Sequence, residues 1–346
     1  MSKSAIDLSV IIPVYNGHEF IGNVVDSIEE CNHTILDRIE VLLIDDGSND
    51  NSLHYCDELS NKYPNIIVIS IQHGGVGNAR NYGLHVSKGK YITFCDQDDI
   101  VTTSYSVFLT KIDESDSDLL IANYAIRRDE SIHYTDMIKN DCIISERMVN
   151  EMIKRLFNIP DIIGESFYSS IPRFYPTVWN CIFRSETIKN NNIDISSIVE
   201  YDDDWKLLVD VMSVSRCVYL CKDYYYLWIH RHGSQSHSSK YIPELTRLRN
   251  DLRTYSSMKM RSLYFEQSEQ ESVLTFFDKE TLCKCSLNYC NLPYKEFKDK
   301  INPLLSGLSL NNKKAILSHC SFKEMILIVL LFIHCQWLVW FNLRRH

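Results

Sequence analysis

Asp96-Gln97-Asp98-Asp99 directly follows the apolar run Ile92-Thr93-Phe94. Carboxylates two apart at a strand end can point into one pocket. Such hard oxygen donors suit Mg²⁺ or Mn²⁺, with phosphate oxygens completing the shell. Asp45-Asp46-Gly47-Ser48 closes a second apolar run, and Asn16 closes a third. Asp and Gly also make turns for conformational reasons alone, and Asp45 could simply cap the turn it opens. Three polar clusters at three strand ends nevertheless point to one crevice, because ligands of open α/β sheets sit beyond the carboxyl ends of the strands. A fourth acidic group, Asp202-Asp203-Asp204 before Trp205, stands at a predicted helix start. There it could cap the helix or offset its dipole.

The elements that position these groups alternate. The spacing predicts strands at 8–15, 40–44, 65–72 and 91–95, and helices at 20–31, 51–63 and 76–87. Ile21, Val24, Val25 and Ile28 repeat at helical intervals. This alternation predicts a doubly wound α/β layer with a mostly parallel sheet. Further strands are expected at 119–125, 178–183 and 216–226, a loop over 160–176, and helices at 203–214, 241–264 and 271–289.

Composition sets the outer limits. The 346 residues carry 36 basic and 45 acidic side chains, a net charge of −9, which argues against nucleic-acid binding. Hydrophobic residues make up 45%, enough for a large core. The 12 cysteines are scattered, no apolar leader precedes Leu8, and free thiols in a reducing cytoplasm are expected. Cys217, Cys221, Cys283 and Cys285 lack metal spacing, as do His230 and His232. Gly75-Val76-Gly77-Asn78-Ala79-Arg80 approaches a dinucleotide fingerprint. Arg80 replaces its third glycine and the segment follows the third strand, so NAD binding is set aside.

Four segments in order resemble the family 2 glycosyltransferases of GT-A fold. They are Val10-Ile11-Ile12-Pro13-Val14-Tyr15-Asn16, Val41-Leu42-Leu43-Ile44-Asp45-Asp46-Gly47-Ser48, Gly77-Asn78-Ala79-Arg80-Asn81-Tyr82-Gly83 and the run from Gly89 to Asp99. The resemblance is close over about the first 110 residues and looser to about 240. It implies a GT-A domain over 1–240, with a donor half to about 110 and an acceptor half after it. It also implies roles. Pro13, Val14 and Tyr15 would pack on a uracil, Asp46 would hydrogen-bond the base, and Asn16 and Asp45 would belong to the same nucleotide-sugar site; Arg80 would reach the nucleotide, or be a solvated helix residue if read alone. Asp98 would bind Mn²⁺ or Mg²⁺, with Asp96 its partner on the sugar side. Asp204 would be the catalytic base, with Asp203 open as the alternative because the family's usual Glu-Asp-Trp reads here as Asp203-Asp204-Trp205. Trp179, Asp99 and Trp205 would face the acceptor, with Trp179 open between stacking on a sugar ring and an ordinary place in the core. Arg231, Ser234 and Ser236 resemble the loop that closes over the diphosphate.

The C-terminal third reads as a helical extension, 241–322, and a tail, 323–346. Residues 228–264 carry seven basic and two acidic side chains. Residues 325–343 are uncharged and mostly apolar, with His334 and Gln336 mid-run, Trp337 and Trp340 beyond, and Arg344-Arg345 at the close. Near the ~20 residues of a spanning helix, the run favours a shallow membrane contact over a full span. A buried helix or an oligomer contact is the other possibility.

The expectation is therefore an inverting, metal-dependent glycosyltransferase of bacterial surface-polysaccharide type, such as O-antigen or capsule synthesis. The donor would be a UDP-sugar, with an α-linkage converted to a β-glycosidic bond. The acceptor would be a glycan, free or lipid-diphosphate-linked, and the enzyme would sit on the inner face of the cytoplasmic membrane. A processive synthase is disfavoured by the missing Gln-x-x-Arg-Trp motif. The alternative is a catalytically silent nucleotide-sugar-binding subunit of an assembly complex.

Overall fold

A computed structural model describes residues 5–157, 177–195, 203–231 and 245–333 apart from 319, together with 336, 339 and 343. The chain divides into two compact units, Met1–Leu156 with Asp161–His232, and Phe157–Pro160 with Gly233–His346. The boundary thus falls near 232 rather than 240.

In the first unit, β1 (Leu8–Val14) is buried along its whole length, as an unbroken apolar run in a parallel sheet requires. It pairs in parallel with β2 (Ile39–Asp45) on one side and β4 (Tyr91–Phe94) on the other. β3 (Ile66–Ser70) extends the sheet beyond β2. The connecting helices are α1 (Ile21–Asn32), α2 (Ser52–Lys62) and α3 (Val76–Val86). The chain builds outward through β2 and β3, then returns across β1 to β4. Such a reversal opens a crevice at the carboxyl ends of β1 and β4. Tyr15 and Asn16 leave one of these ends and Asp96 to Asp99 leave the other.

Beyond β4 the sheet is mixed. β9 (Cys181–Arg184) runs antiparallel to β4 and to β6 (Leu119–Arg128). The long β10 (Cys217–His230) lies parallel to β6 and takes the two-residue β5 (Ile100–Val101) on its far side. β7 (Ser131–Tyr134) and β8 (Cys142–Ser145) add antiparallel edges to β6 and β10. α4 (Tyr105–Glu114), α5 (Glu146–Leu156), α6 (Ser185–Asn190) and α7 (Asp203–Met212) complete the unit. Val10, Ile12, Val24, Leu43, Phe108 and Tyr225 belong to its core.

One close approach matters for the site. A Cβ on Gly83 would lie 2.4 Å from Ile11 Cγ2, so glycine lets α3 press onto β1. That seats Arg80, one turn earlier, on the sheet-facing side of α3, where it is buried.

The second unit is helical: α8 (Leu245–Ser262), α9 (Gln267–Tyr289), α10 (Tyr294–Ser306), α11 (Leu310–Ser318) and α12 (Phe322–Phe332). Reciprocal capping boxes start α9 at Glu266 with Glu269 and α12 at Ser321 with Glu324. Leu282, Tyr289, Phe297, Ile301, Ile316, Ile328, Leu331 and Val339 share one core. Of the readings open for the tail, the buried helix describes Ile328, Leu331 and Val339, which contribute to the core of this unit. No helix among the described residues is long and apolar enough to cross a membrane. The basic stretch is also partly used internally. Arg249 is buried over the ring of Phe277, Arg253 Nε pairs with Asp278 at 2.6 Å, and Arg247 pairs with Asp251 at 3.2 Å.

Candidate active site

The exit of β1 is stitched to its neighbours by side chains. Gln97 Oε1 accepts from Tyr15 N at 2.9 Å, and Gln97 Nε2 donates to Tyr15 O at 3.1 Å, extending the ladder past the end of β4. Asn16 takes a left-handed conformation, φ 48°. Its N–H donates to Ser48 Oγ at 3.0 Å and its Oδ1 accepts from Asn49 N at 2.8 Å, tying β1 to the turn after β2. Pro13 and Val14 are buried within the strand, so Tyr15 is the member of that group whose ring reaches the crevice. It stacks on His73, ring centroids 4.4 Å apart and planes at 23°. His73, in the segment after β3, was not singled out by sequence; a lone histidine after a strand carries no spacing signal.

Asp45 and Asp46 hold loops. Asp45 Oδ1 accepts from Ser48 N at 3.2 Å and its Oδ2 from Ser70 Oγ at 2.8 Å, which is the capping role left open for it. Asp46 accepts the N–H groups of Gly74 and Gly75, each at 2.8 Å, and faces His73 Nδ1 at 2.9 Å. Both carboxylates are buried. Asp46 thus braces the segment that carries His73 against Tyr15.

The acidic turn after β4 splits into two open carboxylates and one closed. The side chains of Asp96 and Asp98 are 32% and 31% exposed. Asp99 is 2% exposed. Its Oδ2 accepts from Tyr226 OH at 2.7 Å and its Oδ1 from Ile229 N at 2.8 Å, so it anchors the turn instead of facing an acceptor as expected. Burial, with the charges of Asp96 and Asp98, pushes Asp99 well above the usual carboxylate range. Asp98 is also raised, by burial and then by Asp96, with the Arg231 guanidinium opposing. Arg231 Nη1 lies 2.7 Å from Asp98 Oδ2, and the guanidinium sits 4.2 Å over the ring of Phe20. Beside this pair lies a cavity of about 760 Å³ lined by Phe20, Asp98, Arg127, Ile229, His230 and Arg231, among others. Ser234 and Ser236 lie outside the described residues.

Arg80 is the hub of the crevice. Its Nη2 donates to Asp96 Oδ1 at 2.8 Å, and its Nη1 to Asp203 Oδ2 at 2.8 Å and to Asp204 Oδ1 at 2.6 Å. Asp203 and Asp204 open α7, where the helix dipole favours negative charge. Asp204 is the more open, with 21% of its side chain exposed against 11% for Asp203. Burial lifts the Asp204 carboxyl to about 7, with Asp203 and Asp96 adding to the rise and Arg80 opposing it. A carboxylate in that range suits proton abstraction near neutral pH.

The expected acceptor tryptophans are buried. Trp179 stacks on Tyr226 at 4.5 Å and meets the edge of Tyr124 at 4.7 Å, inside the core. Trp205 Nε1 donates to Leu156 O at 2.6 Å.

The donors of Asp96 and Asp98 fit a divalent cation. Both side chains are part-exposed, and the second oxygen of each carries no side-chain hydrogen bond among the described residues. Mutual repulsion between the two carboxylates is what a cation would relieve. The other clustered donors, Asp141, Cys221 and Asp223, are already bridged by Lys111 Nζ, at 2.8, 3.3 and 2.6 Å. The described cysteines are free thiols.

Residues 9–172 match the Glycosyl transferase family 2 model. The chain is similar to Glycosyltransferase GlyG of Streptococcus pneumoniae serotype 4, with 29% identity over 66% of this chain and 72% of GlyG. It is also similar to a poly(ribitol-phosphate) beta-glucosyltransferase of Bacillus spizizenii, 23% identical over 68% of this chain but only 34% of that protein. Among solved structures, S. aureus TarS 1–349 in complex with UDP-GlcNAc superposes with a TM-score of 0.66 at 18% identity, covering 98% of this chain and 92% of that one. The sheet order and these matches agree: the chain has the fold of TarS, and residues 9–172 are similar to the family 2 glycosyltransferases.

Proposed function

We propose that the protein transfers a sugar, with inversion, from a UDP-sugar to a hydroxyl of a cell-surface glycan or polyol-phosphate polymer. The observation that carries this reading is Asp204, a largely buried carboxylate that opens a helix and shares the Arg80 guanidinium with Asp96 at the end of β4. The donor class draws support from TarS, whose structure holds UDP-GlcNAc, and the acceptor class from the relative named for poly(ribitol phosphate).

In this reaction the acceptor oxygen attacks the anomeric carbon while the bond from that carbon to the diphosphate oxygen breaks. UDP leaves with the bonding electrons and Asp204 takes the hydroxyl proton. An α-linked donor becomes a β-glycoside. Asp96 and Asp98 are the residues that would hold Mn²⁺ or Mg²⁺, and the chemistry such an ion would supply there is charge neutralisation on the departing diphosphate. Tyr15 offers a ring for the base. Arg231, which pairs with Asp98 at 2.7 Å, is the residue we assign to the diphosphate. We assign the acceptor as lipid-linked and the enzyme to the inner membrane surface. The supporting feature is the outward face of α12, where Met325, Ile326, Val329 and Ile333 are exposed.

Measuring UDP release across a panel of UDP- and GDP-sugars tests the proposal. Transfer by the native chain and a loss of about 10²-fold or more in Asp204→Asn are expected. Donor binding without any UDP release would instead mark a silent nucleotide-sugar-binding subunit.

A further inference from the structure

We infer that His73 is a built-in stand-in for the nucleobase: its imidazole occupies the seat on Tyr15 that the base of the donor takes, and the base enters only by displacing it. The inference rests on the UDP-sugar reading above, in which Tyr15 carries the base.

What the seat accepts can be read from what the imidazole does in it. The ring lies on Tyr15 with centroids 4.4 Å apart and planes at 23°. Its Nδ1 is 2.9 Å from Asp46 Oδ2 and 3.0 Å from Asp46 O. Both oxygens are acceptors, so Nδ1 carries the hydrogen and donates. This corner of the crevice therefore holds a flat ring with one face on a tyrosine and an in-plane N–H on a carboxylate. Uracil is a ring of that kind, with a face to stack and an in-plane N3–H to donate. The Asp46 side chain is 3% exposed, and the imidazole is one of the groups that cover it. A base that stacks on the same face of Tyr15 and reaches Asp46 must take the place of His73.

The platform is fixed and the imidazole is not. Gln97 pins Tyr15 N and O at 2.9 and 3.1 Å, so the tyrosine ring projects from a held main chain. The main chain around His73 is held as well. Gly74 N and Gly75 N donate to Asp46 at 2.8 Å each, and Ile71 N donates to Asp45 O at 2.8 Å. Gly47, at φ 69°, packs so near that a Cβ there would lie 3.0 Å from His73 N. The His73 side chain, by contrast, is 56% exposed, with Tyr15 and Asp46 as its partners among the described residues. Turning its χ angles swings the ring into solvent while the main chain stays in place. Asp46 then keeps both glycine N–H groups, and the place of Nδ1 on Oδ2 opens to another donor. One stack and one hydrogen bond hold a ring only modestly, so an incoming base can compete with it. The apparent affinity falls by the fraction of time that the seat is open.

Titration calorimetry with UDP, a thermal melt of each variant and NMR of the histidine-labelled chain test this. His73→Ala should bind UDP about tenfold more tightly than the native chain, because its seat is always open. His73→Asn keeps a donor for Asp46 but gives up the stack, and it should also bind more tightly. The C–H signals of His73, identified by their absence from the variants, should lie upfield before UDP is added, under the Tyr15 ring current. They should move to the ordinary exposed position as UDP saturates. Weaker UDP binding in the His73 variants would make His73 a wall of the seat and overturn the inference. Unchanged affinity, or His73 signals unmoved by UDP, would overturn it too. Should His73→Ala fail to fold, His73→Asn and the native spectrum decide. Tyr15→Ala separates the two levels. If it loses UDP binding while the His73 variants bind no more tightly, only the stand-in role falls. If it binds UDP as the native chain does, the base seat is misplaced and the inference falls with it.

Discussion

The hydroxyl of Tyr226 donates to Asp99 Oδ2 at 2.7 Å and accepts the backbone N–H of Asp96 at 3.0 Å. One buried phenol on β10 thus fixes both ends of the acidic turn after β4. Tyr226→Phe keeps the ring stacked on Trp179 but strands two buried polar groups. The expected cost is about 1–3 kcal/mol of stability, read from the denaturant midpoint at constant m-value. Transfer should fall too, since the main chain carrying Asp96 loses its anchor. A variant as stable and active as the native protein would show that water replaces the phenol.

Metal dependence follows from Asp98. Arg231 already occupies Asp98 Oδ2 at 2.7 Å, so an incoming cation competes with a guanidinium. EDTA should abolish turnover and Mn²⁺ or Mg²⁺ restore it. Asp98→Ala should lose metal-dependent UDP binding. Arg231→Ala should bind Mn²⁺ more tightly in titration calorimetry yet transfer more slowly. Full activity in chelator would remove the metal from the proposed mechanism.

Stability should also depend on pH through Asp204. Its folded value, about 7, lies above the about 3.9 of an unfolded aspartate. A group raised in this way stabilises the fold below the unfolded value, and that contribution is lost as pH rises through the folded value. Asp98 and Asp99 are shifted in the same direction. Asp204→Asn mimics the protonated form, so its Tm should exceed that of the native chain at pH 8 and converge with it near pH 4. Equal melting at both pH values would mean that Asp204 is not strained by its charge.

The donor half of the fold was legible because its signals are local. The apolar run of β1, the 3.6-residue spacing of α1 and the Asp-rich strand ends each fit within a dozen residues. The ion pairs of Arg80 were not legible, because its partners lie 16, 123 and 124 residues away and only the closed sheet brings them together. For a related reason Trp179 stayed open between sugar and core and Trp205 was placed at the acceptor: an aromatic beside an active site looks the same in sequence whether it faces a sugar or the core. Asp99 adjoins the two open acids, and only the strand pairing of β10 reveals that it is sealed by Tyr226. The tail misled because composition registers how apolar a segment is, and not what covers it.

That tail gives the last prediction. Ile328 and Leu331 of α12 are fully buried, whereas Ile326 and Ile333 are 50% and 60% exposed. The helix therefore has one face inside the second unit and one outside. Glu324 at its start also pairs with Lys279 of α9 at 3.2 Å. Leu331→Ala should destabilise the helical unit by about 2–5 kcal/mol, as cavity-forming core substitutions do. Deleting 323–346 should do more, removing Ile328, Leu331 and Val339 from one core at once. The truncated chain is then expected to expose apolar surface and aggregate. The outer face is a separate matter. Ile326→Ser with Ile333→Ser should leave Tm nearly unchanged, within the about 0.5 kcal/mol typical of surface changes. The same pair should reduce co-sedimentation with vesicles of anionic lipid, because it removes apolar area available for burial. If the native protein does not sediment with such vesicles at low salt, α12 is a structural helix alone and the membrane contact is withdrawn. If the double variant melts early, its exposed face is covered by protein, and a second copy of the chain becomes the occupant to test by light scattering.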